Sequence, residues 1–148
     1  MHGVYFGVIV KCCISNFGES RNIDLSMRFT WPHQTDKQYK KSLSDYENIL
    51  TNKNRILRGI KEGFAKSDEL IFWVDNQILL GNILIEKRKI FFEYLNESEK
   101  KFGNFKFIYK QNPISKERLE EYREKEIASG TSLIGPHRDD LHLQLGEF

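Results

Sequence analysis

"LIGPHRDDLHLQL" runs from Leu133 to Leu145. It crowds His137, Arg138, Asp139 and Asp140 behind a Gly135-Pro136 pair, with His142 two residues on. Gly-Pro reads as a turn. "LHLQL" alternates as a strand does, and "TSLI" just before it (Thr131 to Ile134) reads as a second short strand. Three chemistries suit the cluster between them. H-R-D begins a kinase catalytic loop, but that loop needs an Asn five residues after its Asp to hold magnesium, and Gln144 stands there. A metal-dependent hydrolase could use His137, Asp139 and Asp140. Side chains at i and i+2 of a strand share a face, so His137 with Asp139, or Asp140 with His142, would point together. The third reading needs no ligand: Asp side chains cap free backbone N–H groups, and Arg138 pairs with a nearby carboxylate.

Upstream, the chain is helical. Tyr39, Leu43, Tyr46, Leu50, Lys53, Leu57, Ile60 and Phe64 step alternately by four and three, a heptad seam with one polar member, Lys53. A lysine there either snorkels out of the packed face or pairs with a carboxylate within it. "KSD" offers Ser67 or Asp68 as the next N-cap. A second helix is expected from about Asp68 to Lys101, with Gly103 as C-cap. Its apolar face is two seams wide. One runs through Ile71, Val74, Ile78, Gly81, Ile85, Arg88, Phe92 and Leu95, the other through Leu70, Trp73, Gln77, Leu80, Leu84, Lys87, Phe91 and Tyr94. A face that wide packs against more than one neighbour.

"FKFIYK" (Phe105 to Lys110) then reads as a strand. "SKERLEEYREKEIAS" is helix-forming and laced with opposite charges, and it ends at Gly130. With few apolar residues, it is expected to be exposed or to extend away from a core. Residues 1–33 mix strand composition ("GVYFGVIVKCCI") with stretches of no clear period, and Trp31-Pro32 disfavours helix there. Two long antiparallel helices between pieces of strand read as an arm projecting from an α/β body. The division expected is a strand-like remnant over residues 1–33, a helical arm with one inserted strand over 34–130, and strands returning to the body over 131–148.

The chain has 148 residues, 39% of them hydrophobic and 30% charged, as in a soluble globular domain. A formal net charge of +2 argues for neither nucleic acid nor membrane by itself. Between His33 and Lys66, however, eight Lys or Arg face four Asp or Glu. Phosphate contact needs little beyond such positive charge along a surface. Lys40, Lys41, Lys53, Arg55, Arg58, Lys61 and, on the second helix, Arg88 are the candidates, with plain solvated side chains as the alternative. The only cysteines, Cys12 and Cys13, are adjacent and suit neither an ordinary disulfide nor a zinc site. A reduced, cytoplasmic protein is the expectation. "VYFGVIV" is too short to span a bilayer.

"GTSLIGPHRDDLHLQL" closely resembles the segment of the RecF family in which a Gly-Thr pair leads into G-P-H-R-D-D-L. RecF is a bacterial recombination and gap-repair ATPase related to the SMC and ABC ATPases. "YKKSLSDYENILTNKNRIL", "FWVDNQILLGNILIEKRKIFFEYLN" and "ERLEEYREKEIASGTSLIGPHRDD" are similar to successive family segments in the same order, so the resemblance covers about Gln34 to Leu145. Residues 1–33 fit less well, and a frameshift or an altered start is one account of them. The fold class implied is an α+β fragment of an ABC/SMC-type α/β ATPase, a long antiparallel helical arm flanked by short strands of the ATPase body.

The resemblance implies that a complete family protein binds ATP and Mg between two subunits. It closes on DNA at single-strand/double-strand junctions and works with RecO and RecR in recombinational gap repair and replication restart. This sequence has no G-x-x-x-x-G-K-[ST] loop to cradle phosphates, and no signature loop or acidic-ended strand before Phe148. It looks like the middle of a RecF protein. Alone it is expected to be inactive and to hold no cofactor, supplying arm and lobe contacts. Gly135, Pro136, His137, Arg138, Asp139 and Asp140 then form a family motif at the junction of arm and body. Arg138 is the residue expected to reach a phosphate or a carboxylate. The competing readings are a helical protein-interaction module without DNA or ATP activity, and the hydrolase of the His137/Asp139/Asp140 cluster.

Overall fold

A computed structural model describes residues 36–98 and 105–145. Two long helices form its frame, α1 over Lys37–Lys61 and α2 over Ile71–Ser98. Asp36 starts α1 as an N-cap, its carboxylate accepting the N–H groups of Gln38 at 2.9 Å and Tyr39 at 3.0 Å. The seam lies on the packed face as expected as far as Leu57, with Ile60 partly buried. Phe64 departs from it and is 87% exposed, because α1 ends at Lys61 and Gly63, at φ 82°, turns the chain away.

α2 begins later than expected. A 3-10 turn over Ser67–Leu70 precedes it, and neither Ser67 nor Asp68 caps it. Instead the Glu69 carboxylate accepts the Lys66 N–H at 3.0 Å. The expected C-cap at Gly103 lies outside the described residues, as does the whole reading of residues 1–33. Tyr39, Leu43, Tyr46 and Leu50 of α1 pack with Leu84 of α2. The other side of α2 supplies Ile85 to a second cluster with Ile114, Leu119 and Ile134. Two clusters on two sides are what the doubled seam called for, but two of its members, Ile71 at 63% and Tyr94 at 53% exposure, face outward instead.

β1 (Phe105–Lys110) and β2 (Asp140–Leu145) pair antiparallel, with Lys110 opposite Asp140 and Tyr109 opposite Leu141. The two-stranded sheet is fastened to α2 at Asn96, whose amide accepts the Phe107 N–H at 2.9 Å and donates to its carbonyl at 2.8 Å. The Phe92 ring of α2 stacks on Tyr109 with 5.2 Å between centroids.

α3 (Lys116–Ser129) starts from Ser115 as N-cap and stops at Gly130, whose φ of 68° is the left-handed C-cap expected there. Most of this helix is exposed, as expected, but it does not extend away from the core. Leu119 and Glu126 are buried, and the helix packs against α1 and α2. The strand expected over Thr131 to Ile134 is also absent. The N–H groups of Ser132 and Leu133 go to the side chains of Asn54 (2.7 Å) and Glu126 (2.7 Å), not to a neighbouring strand. An irregular run leads instead into a 3-10 turn over Pro136–Arg138.

Candidate functional site

The motif from Gly135 to Asp140 lies where α1, α2, β1 and β2 converge, and buried polar contacts hold it from below. Arg88, 3% exposed, donates from Nη1 to Asp139 Oδ2 at 2.7 Å and to the Pro136 carbonyl at 2.6 Å, and from Nε to the Tyr39 hydroxyl at 3.0 Å. The Tyr109 hydroxyl donates to the same carboxylate oxygen, and the Asn112 N–H donates to Oδ1 at 2.7 Å. Burial pushes the Asp139 carboxyl up, while the Asn112 N–H, the Tyr109 hydroxyl and the guanidinium pull the other way. Burial alone would lower Arg88, but Tyr39 and Asp139 outweigh it and raise it further. Three donors thus converge on one carboxylate.

His137 is fixed through both ring nitrogens. Nδ1 lies 3.0 Å from the Tyr46 hydroxyl, and Nε2 lies 3.0 Å from the Ser132 carbonyl. A carbonyl only accepts, so the proton sits on Nε2 and Tyr46 donates to Nδ1. Burial brings His137 down to about 4, which keeps the ring neutral. Burial also pushes the Tyr46 hydroxyl up, so it stays a donor. Gly135, at φ 124°, passes so close beneath that a Cβ there would run into the Tyr46 hydroxyl. Gly81 of α2 gives the same access from the other side: a Cβ would sit 2.9 Å from Ile114 and 3.3 Å from Pro136.

A second buried network lies alongside. Lys53 of α1, 2% exposed, meets Glu126 of α3 at 2.7 Å and donates to Gln77 Oε1 of α2 at 2.9 Å and to Ser132 Oγ at 3.3 Å. Ser132 Oγ donates to Glu126 Oε1 at 3.0 Å, and Gln77 Nε2 donates to the Ile134 carbonyl at 3.2 Å. All three helices are thus tied to the run that enters the motif. Burial lowers Lys53 despite its carboxylate partner.

These contacts revise the sequence-derived candidates. Lys53 and Arg88 are withdrawn as DNA-contact residues, since both are buried and spend their donors internally. For Lys53 the carboxylate-paired alternative holds, with Glu126 as partner. Asp139 does have an arginine, but it is Arg88 from α2, not its neighbour Arg138. The Arg138 side chain is exposed and, among the described residues, donates only to the Ser132 carbonyl, at 3.2 Å from Nη2 and 3.4 Å from Nε. His137 and Asp139 do not point together. Asp140 and His142 do, 2.7 Å apart on the half-exposed edge of β2. With the lone pairs of His137 and Asp139 engaged in separate networks, the cluster does not form the ligand set a hydrolase would need. Among the described residues no group of three or more His, Cys, Asp or Glu is placed to hold a metal ion. Lys40, Lys41, Arg55, Arg58 and Lys61 remain exposed along α1.

No protein-family model matches the chain. A DNA replication and repair protein RecF from Moorella thermoacetica is 33% identical over 123 residues, 74% of this chain and 33% of that protein. The RecF of Lachnoclostridium phytofermentans is 33% identical over 121 residues, 73% of this chain and 33% of its own length. The chain belongs to the RecF family. It spans about a third of the length of these RecF relatives. A RecF from Chlamydia abortus, 27% identical, aligns with 98% of the chain and so takes in the amino-terminal stretch as well. A solved structure described as the recombination mediator protein RecF-ATP in the RecFOR pathway shares the fold, with a TM-score of 0.66 and 24% identity over 74% of this chain and 35% of that one. The fold is thus a helix-dominated α+β one, shared with part of that RecF structure. Among the described residues, no helix is long and apolar enough to cross a membrane.

The sequence reading missed Gln77, Glu126 and Ser132, and the signal for the first two was present. Lys53, Gln77 and Glu126 each interrupt the apolar seam of a different helix, Glu126 following Leu119 and Tyr122 by seven and four residues. Polar residues that break three packed faces can meet in one place.

Proposed function

We propose that this chain supplies the helical arm, and the junction of arm and body, in a RecF-type ATP-dependent DNA-binding protein of recombinational gap repair and replication restart. The observation that carries the reading is the way the family motif is held. Asp139 and His137 use their polar atoms to join α2 and α1 to the strand pair, so the motif serves as a weld and not as a reactive centre. A weld of this kind suits an arm whose orientation matters to the body it leaves. The division at residue 130 is retained for the proposal, with the amendment that β1, inside the arm, pairs with β2 beyond it.

The outward cations Lys40, Lys41, Arg55, Arg58 and Lys61 then supply phosphate contacts to DNA at a single-strand/double-strand junction, and Arg138 supplies one more at the junction itself. ATP and magnesium are assigned to the complete family protein. This sequence has no phosphate-cradling loop. RecO and RecR, an ATP-dependent homodimer, a role in the SOS response and a cytoplasmic location follow for the complete protein on the same reading.

The test is binding of a fluorescent gapped duplex across a salt series. Weak binding whose logarithm falls linearly with the logarithm of salt supports the proposal, and the slope should flatten by about one for each contacting cation removed. No binding even at low salt favours the protein-interaction module instead.

A further inference from the structure

The strand pair turns one face to α2 and the other outward. Phe107, Tyr109 and Leu141 lie on the inner face, where the Phe92 ring of α2 packs against Phe107 and Tyr109. Side chains alternate along a strand, and cross-strand partners share a face. Lys106, Ile108 and Lys110 of β1 therefore stand with Gln144, His142 and Asp140 of β2 on the outer face. All six are at least partly exposed.

The charge of this face is unbalanced. Its carboxylate, Asp140, is engaged by its own strand: Oδ2 lies 2.7 Å from His142 Nε2, and Oδ1 accepts the Leu141 N–H at 2.9 Å. Lys110 stands opposite Asp140, yet among the described residues neither it nor Lys106 has an ion-pair partner. The two lysines are four residues apart, about 13 Å along β1. Arg138, two residues before β2, is exposed, and its Nη1 has no partner among the described residues. Cations spaced along an exposed face suit an extended polyanion, whose phosphates need only positive charge along a surface. A two-stranded ribbon is also narrow enough for a DNA groove.

We propose that this outer face, with Lys106, Lys110 and Arg138, is a second phosphate-binding surface that lies along the DNA backbone, distinct from the cations of α1. The inference rests on the DNA reading above and extends it. Asn96 and Arg88 fasten the ribbon and the motif to α2, so DNA on this face contacts the junction itself and not the arm alone.

The test uses the full chain and a fluorescent gapped duplex. Lys106→Gln/Lys110→Gln should weaken binding on the order of tenfold at low salt, whatever the sequence, and flatten the log–log salt dependence by about two. The charge-preserving Lys106→Arg/Lys110→Arg should keep the wild-type slope. Both positions are exposed, so both variants should keep the wild-type thermal midpoint. A wild-type slope in the glutamine variant, with Arg55→Gln and Lys61→Gln of α1 still lowering it, would overturn this inference and leave the DNA reading in place. The lysines would then serve only to discourage pairing at an open strand edge. No DNA binding by the wild type at low salt overturns both. Binding of poly-glutamate in its place, lost in the glutamine variant, would identify an acidic polypeptide as the occupant.

Discussion

Arg88 and Asp139 meet at 2.7 Å with both side chains out of water, fifty-one residues apart in sequence. This contact joins the middle of α2 to the family motif, and everything else at the junction is arranged around it. Removing one partner leaves the other charge buried and uncompensated, which costs about 3–5 kcal/mol. Arg88→Met and Asp139→Leu are each expected to lower the unfolding free energy by that amount, read from the shift of the urea midpoint. The double variant should recover part of the loss, because an apolar pair avoids the desolvation that the ions incur. Equilibrium unfolding of the two single variants and the double variant checks this. Strict additivity would mean that the two residues act separately.

The Lys53–Glu126 pair should behave in the same way and should also distinguish structural cations from binding ones. Lys53→Met strands Glu126 and is expected to cost about 3 kcal/mol or more in stability. At temperatures where the variant stays folded, its affinity for gapped duplex should be unchanged. Arg55→Ala and Arg58→Ala, on the exposed side of α1, should do the reverse, leaving stability within about 0.5 kcal/mol and lowering DNA affinity. Paired thermal melts and binding isotherms separate the two classes.

Gly135 is held by both backbone and space. Its φ of 124° disfavours any side chain, and an added Cβ would meet the Tyr46 hydroxyl. Gly135→Ala should destabilise the chain by about 2–4 kcal/mol, the sum of backbone strain and overpacking. Tyr46→Phe removes the obstructing oxygen but also the donor to His137 Nδ1, so it costs about 1 kcal/mol alone. In the Gly135→Ala background it should be nearly neutral or stabilising. A double-mutant cycle by denaturant unfolding measures that coupling.

Periodicity located both long helices and the register of the α1 seam, because a wide apolar face has to be buried in any fold that contains it. Alternation located β1 and β2. It misread Thr131 to Ile134, since a stretch this short looks like strand whether or not a partner strand exists, and here side chains of Asn54 and Glu126 take the N–H groups of Ser132 and Leu133. The charged α3 was placed outside the core because Glu126 counts as polar in any pattern, while the lysine that neutralises it comes from another helix. For the same reason the junction was only half legible. The motif showed which residues gather, but Arg88, its principal partner, lay among the cations assigned to DNA. A burial pattern does not say which charges will find each other.

His137 gives the junction a pH dependence whose sign is fixed by its environment. Burial takes its imidazole from the ordinary 6.5 down to about 4, with Arg138 and Lys53 also disfavouring the charged ring and the Ser132 carbonyl and Glu126 favouring it. The unfolded chain therefore binds a proton between those values that the folded chain does not. The neutral ring contributes its full stabilisation above pH 6.5 and loses it as pH falls toward 4, below which both states are protonated. Wild-type stability should decline across that window by on the order of 2–3 kcal/mol from this residue. Protonation also removes the acceptor that Tyr46 uses at Nδ1, so the Tyr46 contact should be lost over the same range. His137→Gln keeps a donor toward the Ser132 carbonyl and cannot titrate, so its stability should be lower than wild type at pH 7 and flatter between pH 6.5 and 4. Urea midpoints of the two proteins at half-unit pH intervals provide the comparison, and parallel curves would assign the acid sensitivity to other groups.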